Sequence, residues 1–539
     1  QMADRPDPPD APAVTPGDPE LDPTATYALE PSVSRLLTAP LVASSGQFCT
    51  RYAPFTGQPI AAIAVSTVAD VALASQRARA AQAEWARVPV VERSEVLLAF
   101  HDLVLDRQHE ILDLIQLEAG KARKHAFEEV AHAALTARYY ARRAARQVGP
   151  SRRLGLYPWL TRVDLHRQPK GVVGIISPWN YPFTMALSDG LAALAAGNAI
   201  VHKPDSQTCL SALFGVGLLR EAGMPAAAWQ VVAGEGPVIG PAVVDNVDYV
   251  CFTGSTRTGR EVGVRAAERL VGASLELGGK NPMLVLRDAD LDRAAEGAVR
   301  ACFSSAGQLC VSMERMYVAD QVYDRFLERF LRRVGAMRLS AGLDFDADMG
   351  SLVSKRQFDT VVRHVADARA KGAQVLAGGH PRPDVGPLFY APTVLAEVRP
   401  GMSCFGDETF GPVVSVYRFT DEAEAVARAN EGPYGLNACV FTRDTRRGRA
   451  LAQRIRCGTV TVNEGYSAGF GSLDSPMGGM GSSGLGRRQG PDGILRFTQA
   501  QTVATQRLLP FRPLPGQSEQ GFAATLTATL RLMKWLHRP

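Results

Sequence analysis

The sequence predicts an α/β protein built on parallel sheets, and three observations support that class. From Val163 onward, short apolar runs alternate with helical stretches. Glycine-bearing turns join them, and strand–helix–strand alternation of that kind builds βαβ units. The alternation comes as two consecutive series, one before and one after Gly278-Gly279, as in a two-domain protein with a cleft between the domains.

The elements follow in order. Residues 1–26, with Arg5 to Pro23 rich in Pro, Asp and Ala, are expected to form a disordered tail, and order begins near Tyr27. Val68 to Arg87, Val91 to Ala119 and Glu128 to Arg146 carry helical spacing, which Gly149, Pro150 and Pro158 break. In the first series Val172 to Ile176, Ala199 to Val201, Gln230 to Val232 and Tyr249 to Phe252 read as buried strands. Met185 to Ala196 and Cys209 to Ala222 are the helices among them. In the second series Met283 to Leu286 and Met316 to Val318 are strands on either side of a helix over Leu291 to Phe303, and the pattern runs to Gly490. Pro510, Pro513 and Pro515 mark a linker, after which Phe522, Leu526, Leu530 and Met533 share one face of a helix ending at Trp535. That face suits docking on the protein's own surface or on a neighbouring subunit. A weak membrane or partner contact is the alternative, with Arg531, Lys534 and Arg538 supplying its positive charge.

Bulk properties exclude several classes. A chain of 539 residues, 46% hydrophobic and 21% charged, can bury a large core in more than one domain. Its net charge of +5 is spread over 59 basic and 54 acidic residues, which argues against a nucleic-acid-binding stripe. The eight cysteines lack CxxC spacing, so no metal site or redox motif is expected, and a reducing cytoplasm fits. No apolar run approaches the roughly 20 residues of a membrane-spanning helix, and no secretory signal is legible.

Several segments carry chemistry. Cys310 closes Gly307-Gln308-Leu309-Cys310, a turn directly after a helix, where a side chain is exposed and backbone N–H groups can face a reacting oxygen. A thiolate is the nucleophile, so such a site needs a nearby base. Glu276, in Leu275-Glu276-Leu277-Gly278-Gly279, is a carboxylate among apolar neighbours, which raises its pKa towards the range of a general base. Asn180, in Ser177-Pro178-Trp179-Asn180-Tyr181-Pro182, follows a strand and can offer its amide to an oxyanion. Phe252-Thr253-Gly254-Ser255 follows another strand and opens a helix, a geometry that favours phosphate without matching GxGxxG. Lys203 also follows a strand and could reach a ribose or phosphate.

In order and spacing, Ser177–Pro182, Lys203–Thr208, Phe252–Gly259, Glu276–Lys280, Gly307–Cys310, Glu408–Pro412 and Pro476–Arg487 resemble the successive motifs of the aldehyde dehydrogenase superfamily. The resemblance implies a Rossmann-like cofactor domain (27–147 and 167–278), an α/β catalytic domain (279–489) and a small β bridging element (148–166 and 490–507) that joins subunits of a homodimer or homotetramer. Residues 508–539 would be the linker and terminal helix. It further implies that Cys310 is the nucleophile, that Glu276 is the base, and that Asn180 and the Cys310 amide form the oxyanion hole. Lys203 and Ser206 would meet the adenosine ribose, Gly254 and Ser255 the pyrophosphate, and Glu408 the nicotinamide ribose, with Phe410 beside it. Trp179 would line the cofactor channel, with Ile176, Gly236, Phe252, Leu277 and Gln357 as further cofactor contacts. The implied reaction is NAD(P)-dependent oxidation of a small aldehyde to a carboxylic acid through a thioester. A cofactor-independent cysteine hydrolase is the rival reading.

Two departures bear on specificity. Ser206 stands where NAD-preferring relatives usually carry glutamate, so repulsion of a 2′-phosphate is absent and NADP is favoured over NAD. Ala301–Cys310, Asp348–Leu352 and Met477–Gly481 are similar to actinobacterial-type succinate-semialdehyde dehydrogenases, which makes succinic semialdehyde the expected substrate. Ser304 and Ser188, however, stand where such enzymes hold the substrate carboxylate with arginine, which leaves apolar or aromatic aldehydes as the alternative. Cys302 is expected to be a core residue.

Overall fold

The structure, a computed structural model, describes residues 31–157 and 160–536. The predicted tail, the start near Tyr27 and the break at Pro158 lie outside the described residues. The described residues divide into two compact units, 31–147 with 169–498, and 148–157 and 160–168 with 499–536.

The larger unit is built on two sheets. In the first, the strands run in the order Gly484–Leu485, Gly272–Glu276, Tyr249–Thr253, Val172–Ile176, Ala199–Lys203 and Trp229–Val231. All neighbours pair parallel except Gly484–Leu485, which is antiparallel to Gly272–Glu276. Val172–Ile176 and Ala199–Lys203 are buried throughout, as continuous apolar runs in parallel sheets should be. Helices Val68–Trp85, Thr184–Ala195, Cys209–Glu221 and Gly236–Asp245 lie close to the residues predicted or cover this sheet. Thr67 starts the first of them with a capping box, its hydroxyl accepting from the Asp70 amide.

The second sheet runs Gln374–Ala377, Thr393–Ala396, Val413–Phe419, Met313–Ala319, Asn281–Val285, Asn437–Phe441 and Thr459–Val462. It is parallel except for its first pair. Its core contains Cys302, fully buried as expected. Helix Leu291–Phe303 coincides with its prediction, and Asp290 caps it by accepting from the Arg293 amide.

One predicted helix is two. Val91 to Ala119 breaks at Arg107 into Val90–Asp106 and Gln108–Ala119, because Arg107 leaves helical geometry (φ −100°, ψ 18°). Its guanidinium pairs with Glu110 and Glu221, the latter on another helix, so a tertiary contact overrides a good helix former. A hairpin over Phe48–Tyr52 and Pro59–Ala64 was not anticipated.

The smaller unit holds a three-stranded sheet in the order Thr498–Gln506, Thr161–Pro169, Ser151–Arg153, followed by helix Glu519–Trp535. Strand Thr498–Gln506 is an edge strand, exposed over all but its first residue. Leu530 and Trp535 on the helix are 58% and 74% exposed. Among the described residues no helix is long and apolar enough to cross a membrane.

Candidate active site

Strand register assembles one side of the site. Ile176, Lys203 and Phe252 are partners in a row at the C-terminal ends of three parallel strands, and Thr253 is the partner of Glu276 on the next. Ligands bind at this end of such sheets.

The sulfur is presented by an unusual turn. After helix Leu291–Phe303, three consecutive residues take left-handed backbone: Ser305 (φ 52°), Ala306 (φ 55°) and Gly307 (φ 72°). Such backbone costs non-glycine residues on the order of 1–2 kcal/mol each, so the surroundings must hold it. They do so through side-chain amides. Gln308 donates to the carbonyls of Ser305 (3.1 Å) and Ser351 (3.3 Å) and accepts from the Val353 amide (3.0 Å). Asn281 Nδ2 donates to the carbonyls of both Cys310 and Ser312 at 2.7 Å, and Asn437 Nδ2 to that of Val311 at 2.9 Å. Asn180 Nδ2 donates to the Gln308 carbonyl at 3.0 Å, which brings the predicted oxyanion donor to the loop of the predicted nucleophile. Asn180 is itself held through its own carbonyl by Lys121 Nζ (2.6 Å), which pairs with buried Glu129 at 2.8 Å.

Cys310 is half-buried against an apolar cluster of Tyr181, Met185, Leu309, Val311, Tyr466, Phe470 and Met477. Phe470 stacks on His132 (4.1 Å) and Tyr181 (5.6 Å). The Tyr181 hydroxyl is buried without a partner, whereas that of Tyr466 donates to Glu128. Ser304 and Ser188 are both buried, and Ser188 bonds to Thr184 (3.0 Å). One helical turn before Ser304, Arg300 lies 3.8 Å from Glu128.

Electrostatics separate the predicted base from the predicted nucleophile. Burial pushes Glu276 up to about 7, with Arg488 opposing, and its Oε1 is buried without a partner. Burial, and next the Glu276 charge, push the Cys310 thiol up to about 12. A neutral thiol is therefore within electrostatic reach of a carboxyl that is part-ionised near neutrality, the protonation states that suit a general base.

Glu408 accepts from the Gly279 amide at 2.9 Å, and burial and then Glu314 push it up to about 8. Its loop is held by Glu314, which accepts from the amides of Thr409 (2.9 Å) and Phe410 (2.8 Å) and from Lys280 Nζ (2.5 Å). Phe410 (φ 53°) meets Trp179 edge-on at 5.4 Å. The side-chain amide of Gln357 is engaged by this same loop, donating to the carbonyls of Thr409 (3.0 Å) and Phe410 (2.6 Å).

The remaining predicted residues line the strand ends. Lys203 is buried, donates to the Pro204 carbonyl (3.1 Å), and has its pKa lowered by burial. Ser206 donates to the Gly234 carbonyl at 2.9 Å. Ser255 caps helix Thr256–Glu268, and Gly236 opens helix Gly236–Asp245. A Cβ at Gly254 would strike the Phe252 ring at 2.7 Å, whereas one at Gly236 would meet nothing within 4 Å. Buried Leu277 donates its amide to the Ser483 carbonyl (2.9 Å). Two helix N-termini and a bare glycine turn, all following the C-terminal ends of strands in this sheet, suit a pyrophosphate, so these residues fit a dinucleotide.

A model of the aldehyde dehydrogenase family matches residues 41–503. The chain belongs to this family. A relative from Mycobacterium tuberculosis, provisionally named an NADP(+) succinate-semialdehyde dehydrogenase, is 52% identical over 85% of this chain and 89% of its own. An NADP-dependent enzyme of E. coli superposes with a TM-score of 0.83 at 34% identity, covering 86% of this chain and 96% of that one. Betaine aldehyde dehydrogenase of Staphylococcus aureus, solved with NAD+, gives a TM-score of 0.83 at 29% identity over 87% and 94% of the two chains.

Sequence reasoning missed the residues that hold the machinery. Asn281 lies five residues after Glu276 in Gly279-Lys280-Asn281-Pro282, and Glu314 four after Cys310, so proximity to a motif was the available signal. Asn437 carried none.

Proposed function

We propose that the chain catalyses NADP-dependent oxidation of succinic semialdehyde to succinate. One observation supports the chemistry above all: a half-buried thiol packed against an apolar cluster and within electrostatic reach of a buried carboxyl whose pKa is raised to about 7. Glu276 takes the Cys310 proton, and the sulfur adds to the aldehyde carbon. The resulting oxyanion is met by the second N–H of Asn180 Nδ2 and the Cys310 amide. Lys203, Ser206, Gly254, Ser255, Glu408 and Phe410 would hold the cofactor, with Ile176, Trp179, Gly236, Phe252, Leu277 and Gln357 around it. When bound, its nicotinamide supplies a hydride acceptor. Glu276, once it has released that first proton to solvent, deprotonates water, whose oxygen adds to the thioester carbon; the carbon–sulfur bond breaks, the leaving sulfur takes the proton back from Glu276, and the acid and free Cys310 result.

The relative's name and the E. coli neighbour support NADP, and Ser206 agrees, since no side-chain carboxylate there would repel a 2′-phosphate. The substrate rests on the relative's name. A second reading, an uncharged aldehyde, is favoured by the apolar pocket wall and by Ser188 and Ser304 in place of arginines. The nine-residue exposed edge strand Thr498–Gln506 supports a homodimer or dimer of dimers, and the exposed face of helix Glu519–Trp535 supports a further subunit contact. Eight unpaired cysteines support a cytoplasmic setting.

Reduced-cofactor absorbance over a panel of aldehydes, with NADP and NAD in parallel, tests the proposal. The highest kcat/KM is expected for succinic semialdehyde with NADP. A preference for hexanal or benzaldehyde would transfer the assignment to the second reading, and no reduction with any aldehyde would overturn the reaction.

A further inference from the structure

A buried cationic cluster lies against Glu276 and has no part in the steps above. Asp189 accepts from Arg488 Nη2 through one oxygen and from Arg496 Nη2 through the other, each at 2.6 Å; Asp189 and Arg488 are buried, and Arg496 is largely so. One carboxylate between two guanidinium groups leaves a net positive charge in the interior. Register puts that charge beside Glu276. Arg488 Nη2 reaches Thr253 Oγ1 at 3.4 Å, and Thr253 and Glu276 are partners on adjacent parallel strands, projecting from the same face. Arg488 also touches the pocket wall through Met185 Sδ. Finally, Arg488 Nε is a buried donor without an acceptor and Glu276 Oε1 a buried acceptor without a donor. Buried polar groups are normally paired, so two complementary open groups in one neighbourhood point to a second side-chain pose in which they meet.

We propose that Arg488 is a positioning residue for Glu276: its guanidinium, anchored by Asp189, keeps the buried carboxylate ionised and gives it a donor to turn to when it is not facing the sulfur. The inference rests on the reading of Glu276 as the base. The other charged and titratable groups facing Glu276 are Arg487, Arg496, Asp189, Cys251 and Cys310. Asp189 opposes the effect and is neutralised by Arg496, so Arg488 is the cation left to act on the carboxylate.

The test is the pH profile of thioester hydrolysis, read as the steady state after the first-turnover burst of reduced cofactor. In Arg488→Gln, Arg496 still pairs with Asp189, and the ascending limb should move up by about one pH unit. At pH 7 the rate should then fall to roughly one-fifth, approach one-tenth at lower pH, and recover at high pH, since one unit is a factor of ten in the ionised-to-neutral ratio. Arg488→Met, which fills the space without polarity, should show the same displacement and serves if the Gln variant does not fold. Arg488→Lys, which keeps the charge, should hold the limb near its wild-type position. A limb that stays in place in the Gln and Met variants, with a loss equal at every pH, would reduce Arg488 to packing and overturn the proposal. Failure of the underlying reading looks different: the wild-type limb would persist in Glu276→Gln.

Discussion

Glu276→Gln should remove thioester hydrolysis and, at alkaline pH, make the protein more stable. The carboxyl is buried with an unpaired oxygen, and burial raises its pKa from 4.5 to about 7. The folded state therefore binds a proton more tightly than the unfolded chain. Stability from this group is complete below the unfolded value of 4.5 and is lost as pH rises through about 7. At roughly 1.4 kcal/mol per unit, the wild type carries a penalty of about 3 kcal/mol above neutrality that glutamine, always neutral, avoids. Thermal unfolding of both proteins at pH 5 and pH 8.5 checks this. The two should melt together within a degree or two at the acid end and separate at the alkaline end, with the variant higher. In activity the variant should slow both the first-turnover burst and the steady state by about 10²–10⁴, the usual contribution of a general base, because Glu276 serves thiol activation and hydrolysis alike. An unfolding difference that ignores pH would refute the buried-charge argument, and an unchanged steady state would refute the role.

Other consequences can be measured alongside. Asn281→Ala strips the carbonyls of Cys310 and Ser312 of their donor; at about 1–3 kcal/mol per unsatisfied group, chemical denaturation should show a loss of a few kcal/mol, with kcat falling more than cofactor KM rises. Gly307→Ala places a Cβ 2.0 Å from the Gly411 carbonyl at a backbone φ of 72°. Left-handed strain and overpacking together predict about 2–5 kcal/mol of destabilisation by urea unfolding. Ser206→Glu should lower kcat/KM with NADP at least about tenfold while sparing NAD, because a carboxylate would face the 2′-phosphate; cofactor titrations at fixed aldehyde read it directly.

What was legible in the sequence follows from how local the physics is. Strands such as Val172–Ile176 are apolar throughout and bounded by glycine or proline, so their ends, and the residues just beyond them, could be placed. Cys310, Glu276 and Asn180 could be singled out because each sits in a motif with its own chemistry. The break at Arg107 was not legible, since arginine favours helix and the cause, Glu221, is more than a hundred residues away. Nor was the grip on the nucleophile's loop, which acts from Asn281 and Asn437 onto carbonyl oxygens that every residue possesses. Arg487 and Arg488 look alike in sequence; only folding buries the second against Asp189.

That grip has an evolutionary corollary. Because the loop is fastened by its main chain, the side chains flanking the sulfur, Leu309 and Val311, are free of fastening duty and serve as pocket wall. A lineage can thus exchange those two residues to suit a new aldehyde while the sulfur stays where it is, separating what the enzyme accepts from how it reacts.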